Sequence, residues 1–463
     1  MTSALPPGSL PQFQPELLRA GEEAREILSR TAQGEYPPQS RDPISIIEAQ
    51  NATRLPHLVP MRTALMAKSP FAFFRGSAAI MARDLGVLPH TDTHVVACGD
   101  AHISNFGIFA TPDHRLTFEL NDFDEASTAP WEWDVKRLAT SVVLAARERG
   151  TSDDEAEHLA RDAVRAYQAR IASMVSLTSL ERTFARVDIE ALMANFSSHD
   201  TAFMRGALQH AVHQTSEHLL PRITTTTSDG RLRIVDDSPS VTHLPTLTLE
   251  MAQGLKAEYM RTMRMDSAFL LRQFQLADIV FRVSGVGSVG TRCLLLLLTG
   301  PSGEPLFLQV KEAEPSVLER FGGAPNLVRT SGRPDHEREG FRVVTCQRIL
   351  QTAPDPFLGH VSYDGHDYYV RQFRNMKASI NIDKLSAGEF RVYACLCGEL
   401  LARGHAQSPA APFIHGYLGP SDIFSAAVSR WALAYAGQVE TDYAALLAAV
   451  ASGRLPAAGQ GKE

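Results

Sequence analysis

Residues 95–126, VVACGDAHISNFGIFATPDHRLTFELNDFDEA, gather oxygen-bearing side chains in a pattern with chemical possibilities. Asp100 and Asn105 are five positions apart, and three acids, Asp122, Asp124 and Glu125, follow one apolar run later. A carboxylate held beside a hydroxyl can take its proton. A second carboxylate and an amide oxygen offer the hard ligands that magnesium prefers, and phosphoryl transfer from a nucleotide needs both functions. Asp and Asn also serve as plain turn residues, bonding their own backbone. The order and spacing of the whole set favour chemistry over turn formation.

A second cluster lies in IVFRVSGVGSVGTRCLLLLLTGPSGEPLFLQVKE, residues 279–312. Gly285, Gly287 and Gly290 form G-x-G-x-x-G, with Ser288 inside it. In a dinucleotide-binding fold these glycines open a helix. Here they are followed by Thr-Arg, a cysteine and five leucines, which predict a strand, then a turn and a third strand ending in Lys311. Strand, glycine loop, strand, turn and a strand with a terminal lysine is the order that covers nucleotide phosphates in a kinase small lobe. Gly285, Gly287, Ser288, Gly290 and Lys311 are therefore the expected ATP-binding residues, with Lys311 reaching the phosphates as a point charge. Its expected partner is a glutamate: Glu312, Glu314, Glu319, Glu337 and Glu339 are candidates, and Glu337 and Glu339 in PDHEREG are preferred.

Asp100 and Asn105 have the D-x-x-x-x-N spacing of a kinase catalytic loop. GDAHISN resembles the H-G-D-x-H-x-x-N loop of aminoglycoside and choline phosphotransferases, and NDFDEA resembles their I-D-F/W-x-x-A loop. The resemblance implies Asp100 as catalytic base, Asn105 as a magnesium ligand and Asp122 as the main metal ligand, and Cys98 stands where those enzymes usually carry His; Asp124 is a further candidate metal ligand. His102 is expected to brace the loop and Asp134 to pin its backbone. At larger scale the chain resembles a bacterial family catalogued as domain of unknown function 2252, through RDPISIIEAQNATRLPHLVPMR, SPFAFFRGSAAIMARDL, CGDAHISNFG, NDFDEA, PWEWDVKRLA, VGVGSVGTR, LQVKEA and YYVRQFRNMK. That family name carries no activity.

These residues need a scaffold. Periodicity predicts helices over 16–30, 71–85 and 132–149, helix through most of 151–275, and helix again over 385–453. Residues 222–245, rich in Thr, Ser, Asp and Pro, predict an exposed loop or hairpin. Strands are expected at 93–97, 116–120, 279–283, 293–298, 306–310, 342–347 and 368–370. The fold class is thus α+β: a two-lobed, kinase-like fold in circularly permuted order, since the catalytic loop precedes the glycine loop. The expected units are a tail and helix (1–40), a helical catalytic lobe (41–275), a β-rich nucleotide lobe (276–377) and a C-terminal helical part (378–463). Arg371, with Arg374 and Lys377, sits at the expected interlobe connection, where it could meet phosphate or remain a solvated strand edge; Arg75 in FFRG has the same two readings.

Composition narrows the setting. Across 463 residues, 44% hydrophobic and 21% charged, the net charge is −7, which argues against a nucleic-acid surface. Five dispersed cysteines make no disulfide framework. The N-terminal residues lack a signal-peptide pattern, and no apolar run approaches a bilayer span, so a cytoplasmic protein without membrane partners is expected. The leading expectation is an ATP- and magnesium-dependent phosphotransferase acting on an unidentified small molecule with a hydroxyl or amine. Protein phosphorylation, nucleotidyl transfer and a non-catalytic nucleotide-binding scaffold are the alternatives.

Overall fold

Short apolar runs on either side of the acidic residues fold as strands: β1 (His94–Ala97), β2 (Phe106–Ala110), β3 (Leu116–Leu120) and β4 (Ser127–Pro130). The computed structural model describes residues 14–458 except 229, 284, 286, 288, 330–333 and 374. β1 pairs antiparallel with β4, Ala97 facing Ser127, and β2 pairs with β3, Phe106 facing Leu120. The connections 98–105 and 121–126 therefore leave matched strand ends and run side by side.

The stretch 222–245 contains a hairpin of β5 (Thr224–Thr226) and β6 (Leu232–Ile234), followed by β7 (Val241–Thr242). Five further strands are β8 (Gln275–Arg282), β9 (Cys293–Thr299), β10 (Pro305–Glu312), β11 (Gly359–Tyr363) and β12 (His366–Gln372). With β7 they form a fully antiparallel sheet in the order β11–β12–β10–β9–β8–β7. Side chains alternate across a strand, and the leucine run obeys this. Leu294, Leu296 and Leu298 pack with Leu255 and Tyr259 of the helix Leu249–Thr262, while Leu295 and Leu297 pack with Phe307 and Ile234 on the other face. Residues of the helix Leu249–Thr262 and strand β7 thus belong with the sheet, ahead of the boundary expected at 276.

Residues 342–347 form no strand. They lie in the helix Glu339–Leu350, which follows β10 and packs on β11 and β12. Its buried Val343, Cys346, Gln347 and Leu350 recur at helical spacing. After β12 the chain crosses directly to β13 (Ala378–Ser379), which pairs with β2 and joins the large sheet to the β2–β3 hairpin.

The helix Trp131–Glu148 is buried from Trp131 to Ala146, packed among the helices Asp153–Val175, Ala387–His405 and Ile423–Ala451. These elements share the main core with Trp131, Tyr167, Tyr393 and Trp431. The fold is mixed α and β with antiparallel sheets, as composition and pattern predict. All five cysteines are free and buried. Among the described residues, no helix is long and apolar enough to cross a membrane.

Candidate functional site

Gly99 has φ +78°, and a side chain there would collide with the Glu125 carbonyl. Glycine lets the turn before Asp100 lie against the acidic loop. Asp134, in the first turn of the helix Trp131–Glu148, holds this turn from below. Its carboxylate accepts hydrogen bonds from the backbone N–H of Cys98 (2.6 Å) and Gly99 (3.0 Å). His405 Nε2 lies 3.2 Å from the same carboxylate, and Tyr167 Oη lies 2.9 Å from His405 Nδ1. Asp134 and His405 are both buried.

One helical turn beyond Asp134, Arg137 donates from Nε to Asp100 Oδ1 at 2.6 Å. It also donates to the Phe74 carbonyl (2.9 Å), with its guanidinium over the Phe74 ring. One oxygen of Asp100 is thereby fixed. The other lies 3.7 Å from His102 Nε2. His102 is buried, which lowers its pKa to about 4.

Asn105 ties the two loops together. Its Nδ2 donates to the carbonyls of Asp100 (2.9 Å) and Asp122 (3.0 Å), while its Oδ1 accepts the Asp122 N–H (2.8 Å). This amide is 4% exposed, so the bonds form away from competing water.

In the acidic loop, Asp124 forms an ion pair with Lys311 and accepts a hydrogen bond from Tyr369 Oη at 2.7 Å. Lys311 Nζ is 3.5 Å from Asp122 Oδ2. The strand register explains the grouping, because Lys311 faces Tyr369 and Gln309 faces Arg371 across β10 and β12. Arg371 donates to the Asn121 carbonyl (3.0 Å) and to Gln309 (3.2 Å), bracing the entry to the acidic loop. Desolvation raises the Asp122 pKa, but Lys311, Arg371 and Lys377 together outweigh it and hold the carboxyl well below the usual range. Desolvation and the neighbouring Asp122 charge raise Asp124. Burial pulls Lys311 down, and the two carboxylates more than reverse this.

The expected Lys311–glutamate pair does not form. Glu337 is exposed, Glu339 pairs with Arg342 (2.8 Å) and Arg329, and Glu312 pairs with Arg292 (2.9 Å). The helix that follows β10 instead contributes Arg342, whose side chain is fully buried. Arg342 donates to the carbonyls of Asp124 (3.0 Å), Glu314 (2.7 Å) and Ala126, clamping the acidic loop to the end of β10. Glu125 accepts the Val317 N–H at 2.8 Å, and burial pushes its pKa up to about 7.

The glycine loop bends over this assembly. Gly285 and Gly290 have φ +76° and +96°, backbone that suits glycine. Arg54 donates to the Val289 carbonyl, and the Leu55 N–H donates to the Gly290 carbonyl (2.8 Å), anchoring the loop's far end. Ser288 falls outside the described residues. Asp100, Asp122 and Asp124 line one cleft with Gly285 and Gly287, and the cleft holds about 1160 Å³ of empty space with its open mouth included.

The sequence motifs did not point to Arg137, Arg342, Tyr369 or Arg54. Arg137 carried one signal, a charge three residues after Asp134 and hence on the same helix face.

Asp122, with 44% of its side chain exposed, is open to a cation in the cleft, whereas Asp124 is engaged by Lys311 and Tyr369. Among the described residues, no three His, Cys, Asp or Glu side chains are placed to hold a metal by themselves. No curated protein and no solved structure matches this chain. A family model described as an uncharacterized protein conserved in bacteria (DUF2252) matches residues 54–449, and the chain belongs to that family.

Proposed function

We propose that this protein transfers the terminal phosphoryl group of ATP to a hydroxyl or amine of a small molecule. One observation carries the reading: a glycine loop and the carboxylates of Asp100 and Asp122 line the same cleft, and Lys311 of the glycine-loop sheet contacts the acidic loop. Carboxylates and a glycine loop lining one cleft, with a lysine held against the acidic loop, match the requirements of phosphoryl transfer, which is mostly positioning and charge stabilisation.

In this reading Asp100 takes the acceptor proton. Arg137 fixes one carboxylate oxygen and leaves the second to receive it. The new bond joins the acceptor oxygen or nitrogen to phosphorus, the bond to the bridging oxygen breaks, and ADP departs with its electron pair. Magnesium bound at Asp122 would neutralise charge on the phosphate oxygens. Asn105 keeps the base loop and the acidic loop in fixed register, and Asp134 holds the turn before Asp100. Lys311 is stored against Asp124 and would turn toward phosphate as nucleotide enters.

The connectivity supports a kinase-like architecture. A glycine-loop hairpin leads to a strand bearing the lysine, then a short helix (Val317–Arg320) and the longer helix Glu339–Leu350, then two strands that pass directly to the strand pair after the catalytic loop. The catalytic loop comes first in the chain, so the order is permuted. The lysine's usual helix-borne glutamate is replaced by Asp124.

The test is incubation with labelled ATP, magnesium and a bacterial metabolite extract, comparing wild type with Asp100→Ala and Asp122→Ala. Label should move to a small molecule with wild type alone, while Asp100→Ala still binds nucleotide. Equal transfer by Asp100→Ala would sink the proposal, and the mass of the product separates phosphate from AMP addition.

A further inference from the structure

Two guanidinium groups in the cleft belong to neither motif set. Arg75 sits at the end of the helix Pro70–Gly76, where Arg62 Nη2 holds the Gly76 carbonyl at 2.7 Å. A side chain at Gly287 would come within 3.4 Å of the Arg75 carbonyl, so Arg75 lies beneath the tip of the glycine loop. It lines the cleft together with Asp100 and His102, close enough for its charge to act on His102. Arg54 lines the same cleft under the loop's other end and is 8% exposed.

Among the described residues neither cation has a carboxylate partner within ion-pair distance, although the cleft also contains Asp122, Asp124, Glu125, Glu312 and Glu314. Arg54 Nε and Arg75 Nε are buried without a hydrogen-bond partner among the described residues. Burying a charged donor without an acceptor is costly. The Arg62 guanidinium, buried nearby, also leaves Nε without a partner among the described residues, but both of its terminal nitrogens are bonded, to Asn51, Gln50 and Gly76. Arg54, by contrast, has one terminal nitrogen on the Val289 carbonyl, and Arg75 makes no side-chain hydrogen bond among the described residues. Anionic oxygens are the natural complement of a planar guanidinium fork.

We propose that Arg54 and Arg75 bind the phosphate groups of the nucleotide, with Arg75, between Asp100 and the glycine-loop tip, meeting the phosphoryl group as it is transferred. This rests on the phosphotransferase reading. It adds a positive wall opposite the glycine amides, so that charge spread over the transferring oxygens is met from two sides.

The experiment is calorimetric titration of the full chain, with magnesium, by ATP, AMP and tripolyphosphate, for wild type, Arg54→Gln, Arg75→Gln and Arg75→Lys. Loss of a charge-assisted hydrogen bond predicts ATP and tripolyphosphate binding about 10- to 100-fold weaker in both glutamine variants. AMP binding should be unchanged, and Arg75→Lys should recover part of the loss. Arg75 makes no side-chain hydrogen bond among the described residues, so thermal melting of Arg75→Gln should match wild type and exclude misfolding. Wild-type affinity for ATP in both glutamine variants would overturn the assignment and leave the phosphotransferase reading standing. Arginine-dependent binding of tripolyphosphate without any ATP binding would keep the phosphate site and overturn the nucleotide reading. A third arm titrates inorganic phosphate into protein saturated with a non-hydrolysable ATP analogue. Phosphate binding there that is lost in Arg75→Gln, with ATP affinity intact, would assign Arg75 to an anionic acceptor and overturn its nucleotide role.

Discussion

Lys311 on β10 is ion-paired with Asp124 of the acidic loop and lies 3.5 Å from Asp122. The same ammonium therefore neutralises two neighbouring carboxylates that would otherwise repel each other. It also joins the glycine-loop sheet to the acidic loop that follows the β2–β3 hairpin. With Lys311 only 3% exposed, this charge cluster is a structural joint.

Replacing Lys311 by Met should destabilise the protein in a pH-dependent way. Breaking a fully buried ion pair costs about 3–5 kcal/mol; Asp122 is partly exposed, so solvent screening reduces the expectation to about 2 kcal/mol. Asp122 has a depressed pKa when folded, so its contribution is present above its unfolded pKa and is lost as pH falls through the folded one. Without Lys311 the carboxyls gain by protonation instead. The melting-temperature gap between wild type and Lys311→Met should be widest at neutral pH and shrink as pH falls below about 4, the unfolded carboxylate value. A gap that does not vary with pH would contradict this account.

Glu125 gives the opposite slope. Its carboxyl is raised to about 7 when folded, so the native state binds the extra proton between the unfolded value and pH 7. Stability attributable to Glu125 is present at low pH and is lost as pH rises through that window, by about 3 kcal/mol at most. Glu125→Gln should flatten this part of the stability profile, as read by urea unfolding at pH 5, 6, 7 and 8. Parallel profiles for wild type and variant would show that Glu125 does not titrate there.

How far the site is legible in sequence depends on whether its parts are local. Asp100 and Asn105 are placed by one loop between two short strands, and the glycine loop by one hairpin, so their spacing carries the information. The helix Glu339–Leu350 is different. Its FRVVTC run has β-branched residues that favour a strand, yet tertiary packing selects the helix that buries Val343, Cys346 and Leu350 together. With the helix missed, Arg342 had no visible role. Tyr369 reaches Asp124 because β12 pairs in register with β10, and register between strands separated by a helix and another strand cannot be read from either strand alone. Arg137 and Asp134 share a helix face, but only the fold shows that the face meets the turn 98–100.

Asp134→Asn tests whether the turn before Asp100 must be pinned. Cys98 and Gly99 each donate to a different carboxylate oxygen, so the substitution leaves one of the two N–H groups facing a donor. A loss of about 2–3 kcal/mol is expected from leaving buried donors unsatisfied. Asp134 touches the turn before Asp100 and not the glycine loop, so on the proposed phosphotransferase reading kcat should fall at least tenfold while ATP affinity stays near wild type. Equal losses in both would mean that the helix Trp131–Glu148 supports the whole cleft and not the base loop specifically.

Arg342 provides the sharpest test of the clamp. Its guanidinium bonds three carbonyls, of Asp124, Ala126 and Glu314, and pairs with Glu339, all from a fully buried position. Three carbonyls in different directions require the planar fork, which a lysine ammonium cannot reproduce. Arg342→Lys should therefore behave nearly as badly as Arg342→Met. Both should lose about 3–5 kcal/mol of stability, since the change strands buried carbonyls and the Glu339 carboxylate. Hydrogen exchange adds a local reading: amides of 121–126 and 313–318 should lose protection together, while those of the helix Asp153–Val175 keep theirs. If lysine restored both stability and protection, a single positive charge would suffice, and the three-carbonyl geometry would not be what holds the acidic loop beneath Lys311.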